Sequence, residues 1–229
     1  MGKEKLFCFP YAGGSSTLYE GSLCGLKEAF DMIALDYSGH GTKYGLPLYE
    51  TMEEMTSELY KEVTEKLSKD EDYYLFGYSL GSIVAYQIAC RLSDNGYRLP
   101  KKLFLCSMEA PHKIPENEWI HKLSEEDFRN EMISMGGIDD ELLKDPLMLK
   151  IFMPIIRRDF KLHEEFEGEK HDVLDTCALV FYSDEDISNE NIRNWDTVIG
   201  SVQYLCYPGG HFFIYDKYDE VVKEVIKRK

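Results

Sequence analysis

The sequence predicts an α/β protein: a mostly parallel central sheet flanked by helices, with a helical insertion late in the chain. Three observations carry this. From Lys5 to Cys106, short apolar runs alternate at close spacing with helical patterns, the mark of a parallel sheet with right-handed crossovers. From about Pro115 to Asp172 no strand signal remains and helical patterns take over. Two apolar runs, Cys177–Tyr182 and Val202–Cys206, then return the chain to the sheet. A length of 229 residues fits a single domain, 1–229, with the insertion, about 115–172, inside it.

Taken in order, Lys5-Leu6-Phe7-Cys8-Phe9 reads as a buried strand, broken by Pro10-Tyr11-Ala12-Gly13-Gly14-Ser15-Ser16, whose small residues let the backbone approach a ligand. Met32–Leu35 reads as a second strand, leading into Asp36-Tyr37-Ser38-Gly39-His40-Gly41. His40 is expected to cap that turn rather than act as a base. Thr51-Met52-Glu53-Glu54 has the form of a capping box. Met52, Met55, Leu59, Val63 and Leu67 follow at helical spacing and predict a scaffold helix, its methionines core filler. Tyr73–Phe76 reads as a strand, Ser82–Cys90 as a buried helix that stops at Asn95-Gly96, and Leu103–Cys106 as the next strand. In the insertion, Ser124–Met135 is expected to be a helix ended by Gly136-Gly137. Asp139–Lys144 is expected to be a short helix ended by Pro146, and Leu147–Ile156 an apolar segment kinked or broken at Pro154. An excursion of this kind between strands reads as a lid or substrate wall. His163 and His171, among Glu164, Glu165, Glu167 and Glu169, read as a solvated face and not a metal site. Asp216–Lys227 predicts a closing helix with Val221, Val222, Val225 and Ile226 on one face.

The chemistry centres on Gly77-Tyr78-Ser79-Leu80-Gly81. A G-x-S-x-G turn between a strand and a buried helix strains the serine backbone and lifts its hydroxyl clear of the sheet. Glycine occupies both flanking positions because side chains there would collide. A serine hydroxyl is a poor nucleophile near neutral pH and needs a base. His211, in Gly209-Gly210-His211-Phe212-Phe213 after the last strand, suits that role. A carboxylate to orient the imidazole is expected after the Cys177–Tyr182 strand, where Asp186 is favoured and Asp184 is the runner-up. The order Ser…Asp…His, with each residue at the carboxyl end of a strand, is where an open parallel sheet places its site. The backbone N–H groups of Leu80 and Ala12 are positioned to hold an oxyanion.

Composition excludes other classes. There are 26 Lys and Arg against 42 Asp and Glu, and the net charge of −16 argues against nucleic-acid binding and against anionic membrane surfaces. Cys8, Cys24, Cys90, Cys106, Cys177 and Cys206 lack metal-ligand spacing and read as buried, reduced thiols of a cytoplasmic protein, with neither metal nor cofactor. No signal peptide and no membrane span is expected.

Several stretches together resemble one family. Phe9-Pro10-Tyr11-Ala12-Gly13-Gly14, the Gly77–Gly81 turn, Ala110-Pro111-His112, Pro154 with Arg157 and Asp159-Phe160, Trp195, and Gly209–Phe213 occur in that order. They are similar to the type II thioesterases of nonribosomal peptide and polyketide synthesis, over nearly the whole chain. The resemblance implies an α/β-hydrolase fold with a helical lid. It implies hydrolysis of acyl or aminoacyl thioesters from the phosphopantetheine arm of a carrier protein, which is the expected partner of a monomeric enzyme. Ser79, the acid and His211 match the family's triad, and Ala12 and Leu80 its oxyanion positions. Tyr78 and Leu80 stand where the family usually has His and Met, and neither side chain is expected to carry chemistry. Ser183 replaces a usual glycine, and His40 falls where an arginine is common. The alternatives are a stand-alone carboxylesterase acting on small esters and a non-catalytic binding protein on the same scaffold.

Overall fold

A computed structural model describes residues 2–136, 145–168 and 171–229. Its elements in chain order are β1 (Glu4–Phe9), α1 (Thr17–Glu20), β2 (Phe30–Ala34), α2 (Met52–Thr64), β3 (Tyr73–Tyr78), α3 (Leu80–Asp94), β4 (Lys102–Cys106), α4 (Glu125–Ser134), α5 (Pro146–Glu164), β5 (Leu174–Tyr182), β6 (Ile199–Cys206) and α6 (Ile214–Lys227). Short 3-10 turns join several of them. The strands form one sheet, ordered β2-β1-β3-β4-β5-β6, and every pairing is parallel.

Both faces of the sheet are covered, so strand side chains of both parities are buried, as all-parallel sheets require. Phe7, Phe9, Tyr73, Leu75, Leu103, Leu105 and Val180 point to the side that packs α2 and α3. Leu6, Cys8, Tyr74, Phe76, Phe104, Leu179 and Phe181 point to the other, against α1 and α6. On α2 the expected stripe is buried at Met52, Met55, Leu59 and Val63, and the Thr51 side chain accepts from Glu54 N–H at its N-cap. On α6, Val221 and Val225 are fully buried.

Because β1 pairs with β2 on one side and β3 on the other, the chain reverses its winding direction between β1 and β3. Phe9 lies in register with Gly77 there, so the loop after β1 and the turn after β3 emerge side by side at the carboxyl edge. This is the crevice where open α/β sheets bind ligands.

The insertion departs from expectation in two ways, at Pro154 and at His163 with Glu164. Pro146 begins α5 at the first turn, behind Asp145, whose carboxylate accepts from Leu147 and Met148 N–H. Aspartate at the N-cap followed by proline is a helix start. Pro154 does not break α5, which runs through it for 19 residues. The proline is exposed, as is Lys150, whose carbonyl loses its donor and can be hydrated there. Nor are His163 and Glu164 a solvated face: Glu164 is buried and accepts from Ile120 N–H and His121 N–H, and His163 is half-buried against the site. The short helix expected over residues 139–144 lies outside the described residues. The cysteines divide. Cys8, Cys90 and Cys106 are buried, whereas Cys24, Cys177 and Cys206 are exposed, and all six are free thiols. Cys177 and Cys206 lie on β5 and β6, at one side of the sheet, where an apolar run has less cover than at the sheet centre.

Candidate active site

The turn after β3 has the strain its glycines imply. Ser79 sits at φ 51°, ψ −121°, a conformation rare for a residue with a side chain. A Cβ on Gly77 would fall 2.2 Å from Gly81 O, and one on Gly81 would fall 2.0 Å from Phe9 O. Around the strained residue, Ser79 N–H donates to Cys106 O at 2.7 Å, and Ser82 Oγ accepts from Cys106 N–H at 3.0 Å. Neighbouring β4 therefore holds the turn in place. Leu80 is the first residue of α3, so its N–H is among the four without an intrahelical acceptor.

Three distant side chains meet at this turn. Ser79 Oγ lies 2.9 Å from His211 Nε2, and His211 Nδ1 lies 2.9 Å from Asp186 Oδ2. A carboxylate only accepts, so Nδ1 carries the proton and Nε2 is left to receive the Ser79 O–H. Asp184 is exposed and makes no hydrogen bond with His211. The acid turn and the histidine loop are tied together: Ser183 Oγ donates to Gly209 O, and Glu185 Oε1 accepts from Gly209 N–H at 3.1 Å. Ser183, at the position of a usual glycine, thus joins the two loops.

Other groups that shape the site were not read from the sequence. Tyr78 is fully buried, and its hydroxyl donates to His211 O, as does Ser107 Oγ at 3.0 Å. The side chain beside Ser79 therefore anchors the loop that carries His211. Burial pushes the Tyr78 phenol well above its ordinary value, so it remains a donor. Ser107 itself has φ 49°. No local motif marks either contact, because each spans more than a hundred residues.

The loop after β1 makes a tight turn in which Gly14 N–H donates to Tyr11 O at 2.9 Å and Gly13 takes φ +75°. Such a turn needs glycine at its third position. Ala12, its second residue, shares a cavity wall with Ser79 and His211.

Two cavities open at Ser79. One, of about 470 Å³, is mainly apolar, with Met132, Phe152, Ile156, Phe160, Phe212 and Tyr215 on its walls. The other, of about 230 Å³, is lined in part by Glu109, His112, His163 and Asp186. Burial, with His112 and His211 nearby, lowers His163 from 6.5 to about 4, so its imidazole is neutral near pH 7. Among the described residues no group of three potential ligands could hold a metal ion, and no helix is long and apolar enough to cross a membrane.

A parallel sheet with a strained serine after its third strand, and a carboxylate and a histidine after later strands, is the arrangement of the α/β-hydrolases. Within that class the chain belongs to the thioesterase domain family, whose model matches residues 4–228, and it is a hydrolase of thioester bonds. Thioesterase PikA5 of Streptomyces venezuelae is 26% identical over 225 residues, 96% of this chain and 79% of that protein. The medium-chain S-acyl fatty acid synthase thioesterase of Rattus norvegicus is 27% identical, over 92% of this chain and 81% of its own length. The crystal structure of ClbQ, from the colibactin NRPS/PKS pathway, matches with a TM-score of 0.90 at 26% identity, covering 99% of this chain and 96% of that one.

Proposed function

We propose that the protein is a type II, editing thioesterase. It hydrolyses acyl or aminoacyl thioesters from the phosphopantetheine arm of a carrier protein, with Ser79, His211 and Asp186 as its triad. The carrying observation is the continuous relay of two 2.9 Å hydrogen bonds, Asp186–His211–Ser79, on the wall of an apolar cavity. The likeness to PikA5 and to ClbQ supports the biosynthetic setting.

The chemistry follows from the geometry. Ser79 Oγ attacks the thioester carbon while its proton passes to His211 Nε2. The resulting imidazolium is oriented and stabilised by the Asp186 carboxylate. The oxyanion is held by the N–H groups of Leu80 and Ala12, each worth roughly 3 kcal/mol at the transition state. As the C–S bond breaks, the departing sulfur takes the proton from His211. Water then attacks the acyl-enzyme, gives its proton to Nε2, and releases the free acid with Ser79 reprotonated. The larger cavity takes the acyl chain. Residues 115–172 act as its lid within a single-domain enzyme. The protein works as a monomer in the cytoplasm, a compartment that its six free thiols suit.

Intact-mass measurement against a panel of acyl-loaded carrier proteins tests this. The expected result is loss of the acyl mass from the carrier, with a fluorophosphonate adduct on Ser79 in the folded protein. Preference for p-nitrophenyl esters over carrier thioesters would point to a carboxylesterase. Absence of the adduct would point to a binding protein.

A further inference from the structure

His40 and Asp159 are 119 residues apart and among the most buried charged side chains of the protein, at 4% and 1% exposure. His40 lies in the loop after β2, and Asp159 on α5 of the insertion. His40 Nε2 is 2.8 Å from Asp159 Oδ2, and the same oxygen accepts from Gly13 N–H at 2.7 Å. One carboxylate oxygen therefore joins the insertion to the turn after β1. On the preceding turn of α5, Ile156 packs so closely on Gly13 that an added Cβ there would lie 2.4 Å from its Cγ1.

The second nitrogen of His40 settles its charge. Nδ1 lies 3.0 Å from Ser38 O, a carbonyl that can only accept. Both ring nitrogens thus face acceptors, an arrangement that a neutral imidazole, with one N–H, cannot satisfy. The structure calls for an imidazolium paired with a carboxylate. Burial opposes the cation, but the Asp159 carboxylate, the Ser38 carbonyl and the more distant Asp36 together hold His40 above 6.5. The Tyr37 ring packs edge-on against the imidazole at 5.7 Å, and its phenol, pushed up by burial and by Asp159, stays neutral.

We propose that Asp159, held in place by the His40 imidazolium, is a positioning residue for the oxyanion hole: it fixes the Tyr11–Gly14 turn so that Ala12 N–H faces the carbonyl attacked by Ser79. The residue after Ala12 has its peptide N–H pinned by Asp159, and the turn is closed by the Gly14–Tyr11 bond. Rotation of the Ala12–Gly13 peptide would carry the Ala12 backbone with it. A donor used only in the transition state affects turnover more than substrate binding. Without the carboxylate, or without the cation that aims it, the insertion no longer sets the turn. The inference rests on the serine-hydrolase reading above.

The test uses Asp159→Asn, His40→Leu and His40→Gln in the full chain, with kcat expressed per Ser79 that accepts a fluorophosphonate at saturation. Asp159→Asn and His40→Leu are expected to lower kcat by about 10- to 100-fold and leave KM within about twofold. His40→Gln keeps a donor near the Nε2 position but does not titrate. It is expected to hold kcat within about threefold and to abolish the alkaline fall that the wild type shows as His40 loses its proton above 6.5. A small adjoining cavity lined by Gly39, His40 and Tyr44 gives the replacement room. An unchanged kcat per labelled serine in Asp159→Asn, or an alkaline limb unchanged in His40→Gln, overturns the proposal. Should Asp159→Asn not fold, the alkaline limb of His40→Gln decides alone. A wild type that cleaves no thioester and takes no label instead removes the reading of function, so the two failures are distinguishable.

Discussion

The carboxyl edge of the sheet and the helical insertion build the same site by opposite means. At the sheet edge, backbone sets the geometry: register, a strained φ at Ser79 and short turns after β5 and β6 deliver three reactive groups to one point. The insertion contributes almost entirely through side chains. Ile156 and Phe160 wall the cavity, Asp159 holds a turn and His163 sits neutral beside the base. The sheet edge thus supplies the three hydrogen-bonded groups of the relay, and the insertion supplies the cavity wall and a tie to the turn after β1.

Substitutions can break this division. Ser79→Ala should cause the largest loss, on the order of 10⁶-fold in kcat with the melting temperature retained, as seen when a triad nucleophile is removed. A melting curve that collapses with the activity would show the sheet edge to be less rigid than described. Asp186→Asn should cost about 10⁴-fold by presenting the wrong tautomer, while Asp184→Asn leaves kcat unchanged. Gly77→Ala drives a Cβ into Gly81 O and should destabilise the fold by roughly 2 kcal/mol or more, read by denaturant titration. In the insertion, Phe160→Ala should leave the fold intact and shift kcat/KM toward longer acyl chains by about tenfold, measured across a chain-length series. If chain length makes no difference, Phe160 does not bound the acyl group.

The smallest effect separates the two histidines. His163 is lowered to about 4, so it adds stability above pH 6.5 that is lost as pH falls from 6.5 toward 4, where the unfolded chain takes a proton the folded one refuses. His40 is raised, so its contribution is complete below 6.5 and fades as pH climbs through its folded value. His163→Leu should flatten the acid side of a melting-temperature profile and leave the alkaline side alone.

What could be read from the chain follows the same division. Every strand of the sheet and the relay Ser79–Asp186–His211 were legible, because each depends on local signals: apolar runs, glycines beside a serine, a histidine after a last strand. Asp186 was preferred to Asp184 on its distance from the strand end, and it is Asp186 that bonds His211. The insertion was read less well. Pro154 signals a break wherever it stands, but here it falls on the exposed side of a helix held by packing on its other faces. His40, Asp159, Tyr78 and Ser107 have partners more than a hundred residues away, and no spacing rule links such positions.

The parallel strand order also has a consequence for synthesis on the ribosome. The first four strands, β2-β1-β3-β4, are contiguous in space and complete by Cys106, so the strained serine can form before β5 and β6 are made. His211, which bonds Ser79, comes later, in the loop that follows the edge strand β6. The strained turn can therefore form before its hydrogen-bond partner, His211, has been made.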